Sequence, residues 1–304
     1  MCGLFGMYGR GIMKSDREMF SEMMMASAVR GINSTGVAAL SYDDISIEKE
    51  AVNPIQFLIN LNHKKSHILD KFSTDMLMGH TRWATVGKVN SENAHPFETK
   101  KYIGAHNGTL VDHRFHQNER TDSENMFAEM NDNGIVETLK TLHEKSAWAV
   151  SIYDIVTGHL WLGTNGDRPL AIAQSNESRV IYWASELKML QWILERNRVD
   201  AVYKYLKPHF IYDIDIMKVN IEKKEPTPWV AYEIPVKVSP WEEAANKRRA
   251  EGAGEEQKVC ALCNTIFVED GMDYELDGKT VYICEDCLEE NTKAVKEDKK
   301  KVKK

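Results

Sequence analysis

The first apolar stretch, residues 2–8, is short and nearly unbroken, and Gly9 and Gly11 end it, which is the pattern of a short buried strand. Ser15 and Glu18 then stand at capping-box spacing. Met19, Met23 and Ala26 continue at helical intervals, so a helix is expected there, with Gly31 closing it. The cluster Met19, Met23, Met24 and Met25 reads as core filler. Residues 37–40, 76–83, 102–106, 148–153, 159–163, 170–174 and 180–184 read as further strands, and 123–131, 135–143 and 186–196 as helices. Strands separated by tight turns, with helices bunched before and after them, predict an α+β protein of antiparallel sheets flanked by helices.

From about Pro226 the texture changes. The run PTPWVAYEIPVKVSPW carries four prolines and leads into a polar stretch of small residues, read as an extended arm and then a linker. Hydrophobic residues make up 42% and charged residues 28% of the chain, enough to bury a core and to exclude wholesale disorder or a fibrous architecture. No apolar run approaches the ~20 residues of a membrane helix, and no basic segment precedes a long apolar one at the N-terminus. A soluble, cytoplasmic protein with no membrane partner is expected. The net charge is −7, and residues 293–304 carry +5 of local charge, leaving −12 for the rest. An acidic body makes nucleic acid a secondary partner, reached only through the Lys-rich tail. The same tail also reads as a solvated, frayed end.

The cysteines sharpen the picture. There are five, with none between Cys2 and Cys260, so no disulfide framework is expected. Cys260 and Cys263, then Cys284 and Cys287, form two CxxC pairs with twenty residues between them. Four thiolates at that spacing predict a closed tetrahedral zinc site, structural and not catalytic, with a redox CxxC pair as the alternative. Gly271, Tyr274, Gly278, Val281 and Tyr282 predict a hairpin between the pairs, and a helix should open at the second pair. So small a module would owe its folding to the metal. The segment around Tyr282 to Cys287 resembles the treble-clef zinc-binding domain of the Clp unfoldase subunit, which implies docking or homo-oligomerisation through the module.

Cys2 directly follows the initiator Met. Removal of Met1 would leave a thiol beside a free α-amine of pKa ~7.7–8.0, so one residue would supply both nucleophile and base. Around it stand Arg30-Gly31-Ile32-Asn33-Ser34-Thr35-Gly36, Gly79-His80-Thr81-Arg82-Trp83-Ala84-Thr85-Val86-Gly87, Asn93-Ala94-His95-Pro96-Phe97, His106-Asn107-Gly108, Gly166-Asp167-Arg168-Pro169-Leu170 and Ala184-Ser185-Glu186-Leu187-Lys188. In this order, over residues 2–195, the motifs resemble the class II glutamine amidotransferases, among them glucosamine-6-phosphate synthase and amidophosphoribosyltransferase.

That resemblance implies a four-layer αββα N-terminal-nucleophile fold and a Cys2 nucleophile. Thiol attack on an amide builds a tetrahedral oxyanion, for which the Asn107 side chain and the Gly108 N–H are the candidate donors. Arg82 offers a bidentate partner to the α-carboxylate of glutamine, and Asp122 stands where the family's acidic residue holds the α-ammonium. By the same resemblance Thr85 lies on the substrate-binding strand, Arg30 beside the nucleophile, and Trp83 at the ammonia exit. Each also has a bland reading: Arg82 as a structural ion pair, Asp122 as a helix N-cap, and Asn107-Gly108 as a hairpin turn. His80, His95 and His106 read as structural hydrogen-bonders. Val86 and Asn33 depart from the family pattern, where His and Asp are usual.

The expected organisation is a glutaminase domain over 2–215, an arm and linker over 216–255, the zinc module over 256–295 and a tail over 296–304. The expected function is glutamine hydrolysis through a Cys2 thioester, needing no cofactor. Some ninety residues follow position 215, fewer than a sugar isomerase or phosphoribosyltransferase domain requires. The acceptor chemistry is therefore expected on another chain, a synthetase that receives ammonia in trans. The alternatives are a stand-alone amidohydrolase on γ-glutamyl-type amides and a non-catalytic adaptor that presents the zinc module.

Overall fold

The computed structural model describes residues 1–10, 12–41, 44–69, 74–84, 87–116, 120–218, 230–235, 258–259, 266–267, 271–276 and 279–284. Two compact units divide the chain, Met1–Lys237 and Val238–Lys304.

The first unit is built on two sheets. Its strands are β1 (Gly3–Gly9), β2 (Ser34–Leu40), β3 (Ile45–Glu50), β4 (Met76–Arg82), β5 (Phe97–Glu98), β6 (Tyr102–Thr109), β7 (Ala147–Asp154), β8 (Leu160–Thr164), β9 (Ala171–Ser175), β10 (Val180–Ala184), β11 (Ala201–Tyr205), β12 (Phe210–Ile214) and β13 (Val230–Glu233). One sheet runs in the order β11-β9-β10-β1-β4-β2-β3, the other β13-β12-β8-β7-β6-β5. The pairings are antiparallel both where a short connection predicts it, as between β2 and β3 or β7 and β8, and where distant segments meet, as between β1 and its neighbours β4 and β10. Among the described residues five α-helices accompany them: α1 (Lys14–Ala26), α2 (Pro54–His63), α3 (Asp122–Asn133), α4 (Ile135–Thr141) and α5 (Leu187–Arg196).

Strand alternation explains the layering. In β1, Leu4 and Tyr8 point into an apolar layer shared with Met76, Met78, Ile103, Ala105, Leu160 and Leu162, which draws on both sheets. Phe5 and Met7, on the other face of β1, join Met19, Phe20 and Met23 of α1, Phe57 of α2 and Leu190 and Ile193 of α5. Met126, Phe127 and Met130 of α3 and Leu139 of α4 cover the second sheet through Trp148, Val150 and Ile152. Both faces of the central strands are therefore buried, which is why they read as unbroken apolar runs.

Two local expectations need correction. The first helix begins at Lys14, with Met13 as N-cap, and it is the Asp16 carboxylate, not Glu18, that reaches back to the Met13 N–H at 2.8 Å. It ends at Ala26 in a short 3-10 turn, Ser27–Val29, before Gly31 is reached. β3, α2, β11 and β12 had no sequence expectation, although Asn53 caps Gln56 N–H at 3.0 Å and Pro54 occupies the first turn of α2. Inside the proline-rich arm, Val230–Glu233 is extended and pairs with β12.

The second unit holds the short pair β14 (Lys258–Val259) and β15 (Ile266–Phe267) and a hairpin of β16 (Gly271–Leu276) and β17 (Lys279–Cys284). Cys284 is the last residue of β17, opposite Gly271. Cys260, Cys263 and Cys287, and the helix expected after the second pair, lie outside the described residues. No helix among the described residues is long and apolar enough to cross a membrane.

Candidate active site

The alternation that fills the layer between the sheets also builds a polar end to it. Positions 76 and 78 of β4 and 103 and 105 of β6 are apolar and face that layer. The next residues in the same phase are His80 and Arg82 on β4 and Asn107 on β6, all buried. Cys2 continues the phase of Leu4 and Tyr8 from the start of β1. One end of the apolar layer thus terminates in a thiol, an imidazole, a guanidinium and a carboxamide.

Cys2 is partly exposed, and its Sγ accepts from the Trp83 N–H at 3.3 Å. Burial pushes the thiol pKa above its ordinary value, while the Trp83 N–H and the positive charges of the N-terminus, Arg82 and Arg30 oppose the rise. The Cys2 carbonyl oxygen accepts from Arg30 Nε at 2.7 Å and from Asn107 Nδ2 at 2.9 Å. Arg30 also pairs with Glu186. Arg30 and Asn107 therefore fix the backbone of Cys2 as well as flanking it.

Asn107 has every polar atom engaged. Its Oδ1 meets His80 Nε2 at 3.1 Å, and its Nδ2 donates both to the Cys2 carbonyl and to Ser185 Oγ at 2.9 Å. Ser185 Oγ in turn accepts from the Leu4 N–H at 2.8 Å, tying the end of β10 to β1. Asn107 and Gly108 lie inside β6, so the hairpin-turn reading of this pair is wrong. Gly108 has φ +147°, and a Cβ there would lie 1.8 Å from the Ala147 carbonyl oxygen. Only glycine lets the two strands approach so closely at that point.

Asp122 is the first residue of α3, but the N-cap is Thr121, whose hydroxyl accepts from the Glu124 N–H at 3.2 Å. The Asp122 carboxylate accepts instead from the Leu110 and Ser123 N–H groups, each at 2.9 Å. Arg82 Nη1 donates to the Lys88 carbonyl at 3.0 Å. Asn33 closes the turn after Trp83: its Oδ1 accepts from the Ala84 N–H at 2.9 Å. Cys2, Arg82, Trp83, Gly108 and Asp122 line one pocket open to solvent. Thr85 and Val86 lie outside the described residues.

Two buried histidines, His95 and His106, line the pocket, and a third, His80, packs on His95. His80 and His95 pack with ring centroids 4.1 Å apart, and His95 packs edge-on to Phe97 at 4.6 Å. His106 Nδ1 meets Ser123 Oγ at 2.8 Å. Burial holds all three neutral, lowering the His80 pKa to about 3 and those of His95 and His106 below the usual imidazole range. Neutral rings are suited to holding neighbours in place and not to acid–base work near pH 7. Ser185 and Glu186 stood in a quoted motif without a role, and only their long-range contacts reveal one.

Residues 64–160 match the class-II glutamine amidotransferases. The glutamine–fructose-6-phosphate aminotransferase of Listeria innocua is 31% identical over 147 residues, 48% of this chain and 23% of that one. Its Helicobacter pylori counterpart is 25% identical over 225 residues, 66% of this chain and 36% of that one. The chain thus spans well under half the length of these relatives. Among solved structures, the glutamine phosphoribosylpyrophosphate amidotransferase of B. subtilis, complexed with ADP and GMP, superposes with a TM-score of 0.59 at 19% identity. That match covers 78% of this chain and 50% of the other and concerns the fold. The two sandwiched sheets share the fold of that structure, and over residues 64–160 the chain carries a class II glutamine amidotransferase domain, a family of enzymes.

Proposed function

We propose that this domain hydrolyses glutamine to glutamate and ammonia through a Cys2 thioester and passes the ammonia to an acceptor-activating enzyme on another chain. The observation that carries this reading is the shared pocket, where a thiol, a guanidinium and a carboxylate face one space. Arg82 would hold the α-carboxylate of glutamine and Asp122 its α-ammonium, leaving the side-chain amide toward Cys2. Thr85 and the exposed Trp83 would complete the wall and the exit.

With Met1 removed, the α-amine of Cys2 takes the thiol proton as sulfur attacks the amide carbon. The oxyanion is stabilised by the Gly108 N–H and by Asn107 Nδ2, which must turn one of its two bonds, to the Cys2 carbonyl or to Ser185, toward the substrate. The amine returns the proton to the departing nitrogen, ammonia leaves, and water releases glutamate from the thioester. Arg30, anchored by Glu186, keeps the Cys2 backbone still throughout.

The test is intact mass before and after 6-diazo-5-oxo-norleucine. Loss of Met1 and one adduct at Cys2 are expected. A processed chain that stays unlabelled would transfer the case to an amidohydrolase of other γ-glutamyl amides or to an adaptor.

For the second unit we infer one structural zinc held by Cys260, Cys263, Cys284 and Cys287. The support is the thiol spacing together with the hairpin that ends on Cys284. The module or the preceding arm would dock the acceptor enzyme or a second copy of the chain. Metal analysis should return one zinc per chain, lost in Cys284→Ser and without effect on glutamine hydrolysis. Full hydrolysis loss on chelation would contradict the structural assignment.

A further inference from the structure

Lys49 sits near the outer edge of the first sheet, on β3, and no motif includes it. Its side chain is partly buried against the chain that leads into β5. The ammonium donates to three backbone carbonyls, those of Glu92 at 3.3 Å, Ala94 at 2.9 Å and Pro96 at 3.4 Å, and lies 4.9 Å from the centre of the Phe97 ring. These three carbonyls alternate along the chain, so the intervening His95 carbonyl points the other way. It faces β2 at Gly36, where a Cβ would come within 2.0 Å of the His95 oxygen. Gly36 is paired with Lys49 across the β2–β3 ladder. A cation and a missing side chain, opposite one another in neighbouring strands, thus hold alternate carbonyls of one loop.

What the loop carries is His95. Its ring packs on His80, and His80 Nε2 engages the Oδ1 of Asn107. Neither nitrogen of His95 has a hydrogen-bond partner among the described residues, so no polar contact of its own fixes the ring. Its position depends on the backbone that bears it and on the rings beside it. An ammonium giving all three of its hydrogens to carbonyls is a strong, charge-assisted anchor.

We propose that Lys49 is a positioning residue for the glutamine pocket. It clamps the 92–97 loop so that His95 buttresses His80, and His80 keeps the Asn107 carboxamide turned with its N–H groups toward the nucleophile. The inference rests on the glutaminase reading for its kinetic consequence, but the clamp itself is measurable without it. Orientation errors of an ångström near a reacting centre cost up to ~10²-fold in rate, and the Asn107 donor acts on the oxyanion and not on the ground state. The loss is therefore expected in kcat.

The experiment compares the full chain, freed of Met1, with Lys49→Met and Lys49→Arg. It reads glutamate release, iodoacetamide alkylation at Cys2, and hydrogen exchange of the Ala94, His95 and Phe97 amides. Lys49→Met should lower kcat about tenfold with KM within about twofold, a split expected of a mis-set transition-state donor. Alkylation, which needs no oxyanion donor, should stay unchanged, while the loop amides exchange at least tenfold faster. Lys49→Arg, which keeps a cationic donor, should recover at least half of kcat. The proposal is overturned if Lys49→Met keeps kcat within twofold, if alkylation falls in step with kcat, or if Arg does no better than Met. A parent chain that releases no glutamate would sink the glutaminase reading instead. The clamp would then stand or fall on the exchange of the loop amides.

Discussion

On the proposed reading, Asn107 and Arg82 would divide the work of the pocket in a way that kinetics can separate. Arg82→Lys keeps the charge but loses the planar fork, so KM for glutamine should rise about tenfold or more with kcat little changed. Asn107→Ala should leave KM nearly constant and lower kcat by about 10²–10³-fold, the usual cost of one oxyanion donor. The reverse pattern in steady-state assays would exchange the two assignments. Cys2 offers a pH test. Because burial raises its thiol pKa above the ordinary value, the thiolate forms only at alkaline pH while Met1 remains attached. Iodoacetamide labelling of that form should accelerate as pH rises beyond about 9, and labelling that is already fast at pH 7 would contradict the desolvated thiol.

At the scale of elements, much was legible because the chemistry-bearing residues sit on strands that begin as short apolar runs. The phase of β4 and β6 could be read from Met76, Met78, Ile103 and Ala105, and it carries His80, Arg82 and Asn107 to one end of one layer. The helix expected from residue 123 begins one residue earlier as α3, and its N-cap is Thr121 and not Asp122. The less legible elements are those whose apolar residues are sparse. β3 reads Ile-Ser-Ile-Glu-Lys-Glu and is only partly buried throughout, so an edge strand looks like a loop until its partner is known. Lys49 was invisible for that reason. Ser185 and Glu186 were visible as a motif, but contacts 78 and 156 residues away in sequence define their parts. Gly108 provides the element-scale test. Gly108→Ala introduces a side chain at φ +147° against the Ala147 carbonyl, so the β6–β7 pair must open there. Activity should fall at least as far as in Asn107→Ala, with a lowered Tm by calorimetry; an unchanged melting point and rate would show that the strands relax without cost.

The whole molecule inherits an acid sensitivity from its three buried histidines. Each is held neutral in the fold, with His80 near 3, against an unfolded value near 6.5. Below pH 6.5 the unfolded chain takes up protons that the native one refuses. Stability is therefore full above that pH and falls as pH drops below it, for His80 down to about 3, by up to about 1.4 kcal/mol per pH unit for each proton the native state refuses. Urea midpoints measured between pH 7 and 5 should fall, and the replacement His95→Phe should flatten the slope. A midpoint that holds steady down to pH 5 would mean that the rings gain charge partners on acidification.

The place of β1 sets a timetable for synthesis. The first strand of the chain lies in the middle of its sheet, paired on one side with β4 and on the other with β10, which ends at residue 184. Ribosomes add ~5–20 residues per second, so the far wall of β1 emerges roughly 10–35 s after the N-terminus does. During that interval Cys2 lacks Ser185 and Glu186, and on the proposed reading Met1 is open to the aminopeptidase that would remove it. On that reading the nucleophile would mature before it is enclosed. A chain that escapes processing in that window would fold around a blocked amine, and refolding it from denaturant in the presence of the peptidase should recover the lost fraction of active sites.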